Sequence, residues 1–371
     1  MLFELKYTSH PIEKVNQVVY DFIRNSIADG VYSHNLFPAW FVPVLVNAKG
    51  DDNLDDKFRT AYLAFQALPV AERQAIFDDF LLQISIYELC GSAYMPINIQ
   101  AQYSDLHEAL DNVLVKHFFK TTLRRSVTLQ TQLGTSLVNH YRQFKLENNS
   151  GRVCPFCGLH EYAIPDGEAQ DDYDHWLYKS KYPLLAINFS NLVPMCGSCN
   201  DTGVKGIKDV IVTADTNVRR SSFYPYLPHG GITITVREYI PQADIIDPEE
   251  QVEYPYGKLF FNINAVLPVE EDKVNSWREV FNIDQRFHSF ASRYYISFKE
   301  EFHDDYLPHH PHHILNADPT NQRNILTVFR DQLGNAKRRT GIILIKAYLD
   351  FIMRHGNEAL MATFCNINLA A

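Results

Sequence analysis

An α+β fold is expected from three features of the 371-residue sequence. Apolar residues recur at helical spacing through most of residues 1–150. Two closely spaced cysteine pairs then bracket a stretch with short strand-like segments. After them, GITITVREYI at 231–240 alternates as a half-exposed strand, and helical spacing returns toward the end. The expected division is a mainly helical domain over 1–150, a small cysteine-stabilised domain over 151–225, and strands followed by helices over 226–371.

Each element follows from its own residues. Ile12, Val15, Val19, Phe22, Ile23 and Ile27 form one apolar helical face, and Gly30 is a plausible stop. SHNLFPAWFVPVLVN holds two prolines and many aromatics, and reads as a packed irregular connection. DDNLDD at 51–56 is a solvated acidic turn or helix start. Helical patterns cover about 57–67 and 69–90, the second opened by Pro69 with Glu72. SAYMPINIQAQYS is a break; helix resumes near Ser104 and carries, whole or interrupted, to about Leu146. ENNSG at 147–151 marks a boundary. VIVTAD after Lys208 reads as a strand, as do 231–240 and about 258–266, the last two as a pair or small sheet. From Lys273 to Phe302 the pattern is helical, and 321–354 holds one or two more helices.

The chemistry is concentrated between Cys154 and Lys208. Cys154 and Cys157 form one Cys-x-x-Cys pair, Cys196 and Cys199 the other, with 38 residues between them. Two-residue spacing turns both thiolates of a tight knuckle toward one ion, and two knuckles supply the four soft ligands of a closed structural Zn²⁺ site. Such an ion has no open position, so it folds the site and does not catalyse. Four unrelated buried cysteines, or a redox pair, are the competing readings; the redox reading explains one pair only. Cys90 and Cys365 read as buried apolar packing.

Between the knuckles lie Asp174-His175, then Asn191 and Asn200, in the order DHW…NLVPMCGSCN. Here the chain resembles the HNH endonuclease family, whose fold is the ββα-metal finger; the resemblance covers about 55 of the 371 residues. It implies a carboxylate ligand of a catalytic Mg²⁺ or Mn²⁺ at Asp174, the general base at His175, a loop-bracing amide at Asn191 and a second metal ligand at Asn200. It also implies 5′-phosphate and 3′-hydroxyl products, with DNA favoured over RNA as substrate. Tyr178 stands where relatives often carry proline, and Gly203 where a basic residue is common, with Lys205 two positions later. The chemistry agrees independently. Phosphodiester hydrolysis needs an activated water and a Lewis acid, which a neutral imidazole and oxygen-ligated hard cation supply. Adjacent Asp174 and His175 would point to opposite faces of a regular strand, so a local distortion is expected.

The net charge of −10 conceals two basic stretches. Lys116, Lys120, Arg124, Arg125, Arg142 and Lys145 occur over 116–145 without an acid, and Lys337, Arg338 and Arg339 lie in the other stretch. Lys179, Lys181, Lys205, Arg124 and Arg125 are candidate nucleic-acid contacts, or else ordinary solvated charges. The same two readings hold for Arg219 and Arg220. Asp171 and Asp172 are extra metal ligands or solvated acids. The histidines of 303–313 read as a proline-interrupted surface loop, with metal binding as the alternative.

The leading expectation is a metal-dependent endonuclease. The alternative is a non-catalytic zinc-knuckle protein that binds nucleic acid or assembles with partners. A third reading adds a licensing partner, such as an ATPase of a bacterial restriction or phage-defence system, because no GKT or GKS phosphate loop is present. No apolar run reaches membrane-spanning length, and the N-terminus lacks signal-peptide features. Thiols in a zinc frame fit a reducing compartment, so a cytoplasmic location is expected.

Overall fold

The computed structural model describes residues 1–47, 53–148, 153–161, 173–214, 216–254, 257–334 and 339–365, apart from the side chains of 295 and 296. Asp171, Asp172, Lys337 and Arg338 lie outside the described residues. The fold is α+β: mainly helical, with two small antiparallel sheets. The chain forms two compact units, a helical unit of Glu4–Asn149 and Asp171–Pro228, and a hairpin unit of Met1–Phe3, Ser150–Gln170 and His229–Ala371. Among the described residues no helix is long and apolar enough to cross a membrane.

In the helical unit, α1 (Asn16–Asn25) buries Val18, Val19, Phe22 and Ile23 on one face. It ends before the expected stop at Gly30 because the Ser26 hydroxyl donates to the Phe22 carbonyl at 2.6 Å and closes the last turn. Helix α2 (Leu54–Gln66) is capped by the Asn53 side chain, and α3 (Val70–Ile84) starts just after Pro69. Their core is aromatic: Phe58 meets Phe37 edge-on at 4.9 Å, and Phe41 stacks on Phe118 at 5.3 Å.

The long helical stretch expected from Ser104 is segmented. Helix α4 (Ser104–Leu110) runs on as a π-helix over Asp111–Thr122. Extended backbone at Ser126 separates the next turn from α5 (Val127–Leu133), and Gly134 at φ +65° ends α5 before α6 (Leu137–Glu147). The π-helix packs on α2 and on the Pro183–Leu185 turn, so it reaches the loop of the candidate site.

Strands β1 (Tyr173–His175) and β2 (Leu192–Pro194) pair antiparallel, with Asp174 opposite Val193 and His175 opposite Leu192. The short helix α7 (Gly197–Asn200) follows. The strand expected over VIVTAD is corrected: Val210, Ile211 and Val212 are buried, but among the described residues their segment makes an isolated bridge, Val212 to Arg219, and no strand. Burial, not pairing, accounts for that apolar run.

In the hairpin unit, β3 (Ile232–Ile240) and β4 (Lys258–Ala265) form the expected antiparallel pair, with a bulge between Val236 and Glu238. One face carries α8 (Glu271–Val280) and α9 (Ile283–Glu300) on β4. Helices α10 (Pro319–Gln332), α11 (Ile342–Ile352) and α12 (Glu358–Phe364) follow, with α11 packed on β3.

Candidate functional site

Cys154, Cys157, Cys196 and Cys199 are buried and in no disulfide. One sulfur from each lies within 4.8 Å of all the others. Tetrahedral zinc with Zn–S bonds of about 2.3 Å places its sulfurs roughly 3.8 Å apart, a spacing within that bound. Four soft donors leave no open position, as a closed structural centre requires. The first knuckle is shaped by its backbone: the Gly158 N–H donates to the Cys154 carbonyl at 2.9 Å, and the Leu159 N–H reaches Cys157 Sγ at 3.4 Å. Gly158 makes that reversal at φ +68°. In the second knuckle, the Cys199 N–H donates to the Cys196 carbonyl at 2.9 Å.

His175 is buried, 1% exposed. Its Nε2 lies 2.8 Å from the Ala186 carbonyl. A carbonyl oxygen only accepts, so Nε2 carries the proton and Nδ1 keeps its lone pair. Nδ1 is itself buried and has no hydrogen-bond partner among the described residues. Burial first, then the Lys179 charge, hold the imidazole well below its ordinary pKa; Lys205 and Arg124 act in the same sense, and the Ala186 bond partly offsets them. The ring is therefore neutral at physiological pH, with one nitrogen spoken for and the other carrying an unprotonated lone pair. The Phe119 ring of the π-helix packs edge-to-face on it at 4.5 Å.

Asn191 fixes the loop that delivers the Ala186 carbonyl. Fully buried, it accepts from the Leu177 N–H at 2.7 Å and donates to the Leu177 carbonyl at 2.9 Å and the Leu185 carbonyl at 3.4 Å. Its own carbonyl accepts from the Trp176 N–H at 2.8 Å. One amide thus joins both ends of the 177–185 loop to the start of β2.

Asp174 meets a different environment. Its Oδ2 is 2.5 Å from the Lys205 ammonium, which also donates to the His175 carbonyl at 2.7 Å. Lys205 is 0% exposed, so the expected nucleic-acid contact is corrected: this lysine is an internal counter-ion. Asn200 ends α7, partly exposed, and its amide makes no hydrogen bond among the described residues. A hard cation shared by Asp174 and Asn200 does not fit this arrangement, because Lys205 holds the carboxylate.

The other candidate cations divide. Lys179 lies 5.1 Å and Arg124 5.7 Å from the Phe119 ring, so both gather above the aromatic that covers His175. Arg125 is exposed on the same turn as Arg124. Lys181 is drawn inward instead, pairing with buried Asp209 at 2.7 Å. Arg219 is also internal: its guanidinium donates to the carbonyls of Tyr94 at 2.8 Å and Ile211 at 2.9 Å, and to those of Leu89 and Arg220. Arg220 donates to the Asp209 carbonyl.

The histidines of 303–313 hydrogen-bond within their own unit and stack on one another; His303 meets the Phe364 carbonyl at 2.9 Å, His310 the Tyr306 carbonyl at 2.8 Å and His313 the Tyr306 hydroxyl at 2.8 Å. Among the described residues they form no metal-binding group, and the four cysteines do. Sequence reasoning missed Phe119, Asp209 and the Ala186 carbonyl. Phe119 and Asp209 belong to ordinary-looking helix and turn sequence, and a backbone oxygen leaves no signal in the residue string at all. Comparison of the chain with family models, with curated proteins and with solved structures gives no match.

Proposed function

We propose that this chain is an endonuclease of the HNH type that hydrolyses phosphodiester bonds of nucleic acid, DNA in preference to RNA. One observation carries the reading: a buried, neutral His175 whose Nε2–H is tied to the Ala186 carbonyl, leaving Nδ1 with a free lone pair. That is the state a general base needs. In this reading the ββα-metal core is β1, β2 and α7, and Zn²⁺ on the four cysteines holds it together. His175 Nδ1 takes the proton of the attacking water, the Ala186 carbonyl steadies the imidazolium that forms, and Asn191 keeps that carbonyl in place. Lys179 and Arg124 offer positive charge to the scissile phosphate. A divalent ion, Mg²⁺ or Mn²⁺, would supply Lewis acidity to the leaving oxygen; Asp174 and Asn200 are its expected ligands, with Asp174 held by Lys205 in this structure.

The non-catalytic zinc-knuckle reading has a specific observation in its favour, the enclosure of both Nδ1 and Asp174 Oδ2. A licensing partner such as an ATPase would reconcile the two, by opening a site that is closed in the isolated chain. Plasmid nicking with Mg²⁺ or Mn²⁺, against a chelator control mild enough to spare zinc, decides. Cleavage that falls about 10²- to 10⁴-fold in His175→Ala, with zinc content kept, is the expected result. Binding without strand breaks, with and without co-expressed partners, refutes the nuclease.

A further inference from the structure

We infer that Lys205 is the resident cation of Asp174, and that a divalent ion binds this carboxylate only by evicting the lysine. The inference deepens the nuclease reading and rests on it for the identity of the metal ligands.

Three observations converge. Lys205 is fully buried, which is rare for a lysine and demands a partner of opposite charge. Its ammonium takes two oxygens of the same dipeptide, Asp174 Oδ2 at 2.5 Å and the His175 carbonyl at 2.7 Å. Those are hard oxygen donors, the kind a divalent cation selects. The lysine is also delivered by a tight loop that starts at the second knuckle. The Lys205 N–H donates to the Cys199 carbonyl at 3.2 Å, the Val204 N–H to the Asp201 carbonyl at 3.0 Å, and the Gly203 N–H to Asp201 Oδ1 at 2.7 Å. Gly206 closes the loop at φ +38°, where an added Cβ would lie 2.6 Å from Thr202 Cα. The ammonium is thus held in place by the same segment that carries Asn200.

An ammonium and a divalent ion on the same buried oxygen would lie about 4 Å apart and repel each other strongly. The site therefore has two exclusive states, one closed by the ammonium and one open to a metal. Eviction moves a positive charge out of the protein, and a nucleic-acid phosphate at the surface is a suitable acceptor for it.

The test is direct metal binding, not cleavage. Free Mn²⁺ is followed by electron paramagnetic resonance as it is titrated into the zinc-loaded full chain, for the parent, Lys205→Met, and Lys205→Met with Asp174→Asn. We expect Lys205→Met to bind one Mn²⁺ at least about tenfold more tightly than the parent, and the double variant to lose that gain. Equal or weaker binding by Lys205→Met overturns the inference. Lys205→Met leaves Asp174 buried and unpaired, so it can fail to fold; the parent chain then carries the test alone. Lys205 should resist acetylation without Mg²⁺ and become reactive with it, read by mass spectrometry. Equal protection in both conditions overturns the inference. The outcomes separate from those of the nuclease reading: tighter Mn²⁺ binding without strand cleavage removes the nuclease and keeps the lock, and Mg²⁺-dependent cleavage with unchanged Mn²⁺ affinity does the reverse.

Discussion

Acidification should unlock the strand that carries the site, and His140 sets the size of the effect. This residue of α6 is buried, with Nδ1 2.5 Å from the Tyr173 hydroxyl and its ring against His10 and Phe189. Tyr173 opens β1, so His140 buttresses the strand bearing Asp174 and His175. Burial, then the neighbouring His10, push its pKa down to about 4, with contacts at Thr8 and Glu147 partly opposing. The sign follows from proton counting. Above the ordinary histidine value of about 6.5 both folded and unfolded chains are neutral here, so stability is intact. Below it the unfolded chain takes up a proton that the folded chain refuses, and stability falls until the pH reaches the folded value. At pH ~5 the loss from this one group is about 2 kcal/mol.

The assay is denaturant unfolding of the parent and of His140→Gln at pH ~7.5 and ~5, with zinc present. Gln keeps a polar reach toward Tyr173 and cannot titrate in this range. Protonation of the cysteine thiolates and of His175 is common to both chains and cancels in the difference. The parent should lose about 2 kcal/mol more than the variant between the two conditions. Equal losses, or a His140 ring that titrates near ~6.5 by NMR, refute the argument.

Other outcomes follow from the same geometry. Cys154→Ser should lower bound zinc below one per chain, measured by atomic absorption, and depress the melting temperature, because the metal's binding energy is folding energy. Asn191→Ala leaves the Leu177 N–H and carbonyl without their partners and should cost about 2–4 kcal/mol by denaturant titration; a loss within experimental error would mean the loop holds itself. Gly158→Ala forces a side chain into φ +68° with its Cβ 2.7 Å from Leu2 Cδ1, and should destabilise by at least about 1 kcal/mol in the same titration.

What could be read in the residue string was local. Two-residue cysteine spacing is a covalent constraint, and the four thiols converge. The period-two pattern of 231–240 found its partner at 258–265 because alternation specifies a face as well as a strand. Asn191 was expected to brace a loop, and it hydrogen-bonds across one. What escaped was set by distant packing. The apolar spacing of 104–146 is regular enough to say helix but too coarse to tell the i→i+4 bonds of an α-helix from the i→i+5 bonds of the π-helix at Asp111–Thr122, which depend on its neighbours. Lys205 reads in the sequence as a surface cation because lysine ordinarily is one; its burial comes from a loop that turns it back on Asp174. Arg219, in the same way, closes four backbone carbonyls that no linear pattern links to it.

The oxygen that selects the proton-bearing nitrogen of His175 belongs to the main chain at Ala186. Replacing the alanine methyl group leaves that oxygen where it is, so a library of side-chain substitutions at this position would miss the contact. Only chemistry on the backbone itself reaches it. Semisynthesis with an α-hydroxy acid in place of Ile187 would turn the Ala186 amide into an ester, whose carbonyl is a poorer acceptor. The hold on one tautomer of the imidazole would then weaken with every side chain unaltered.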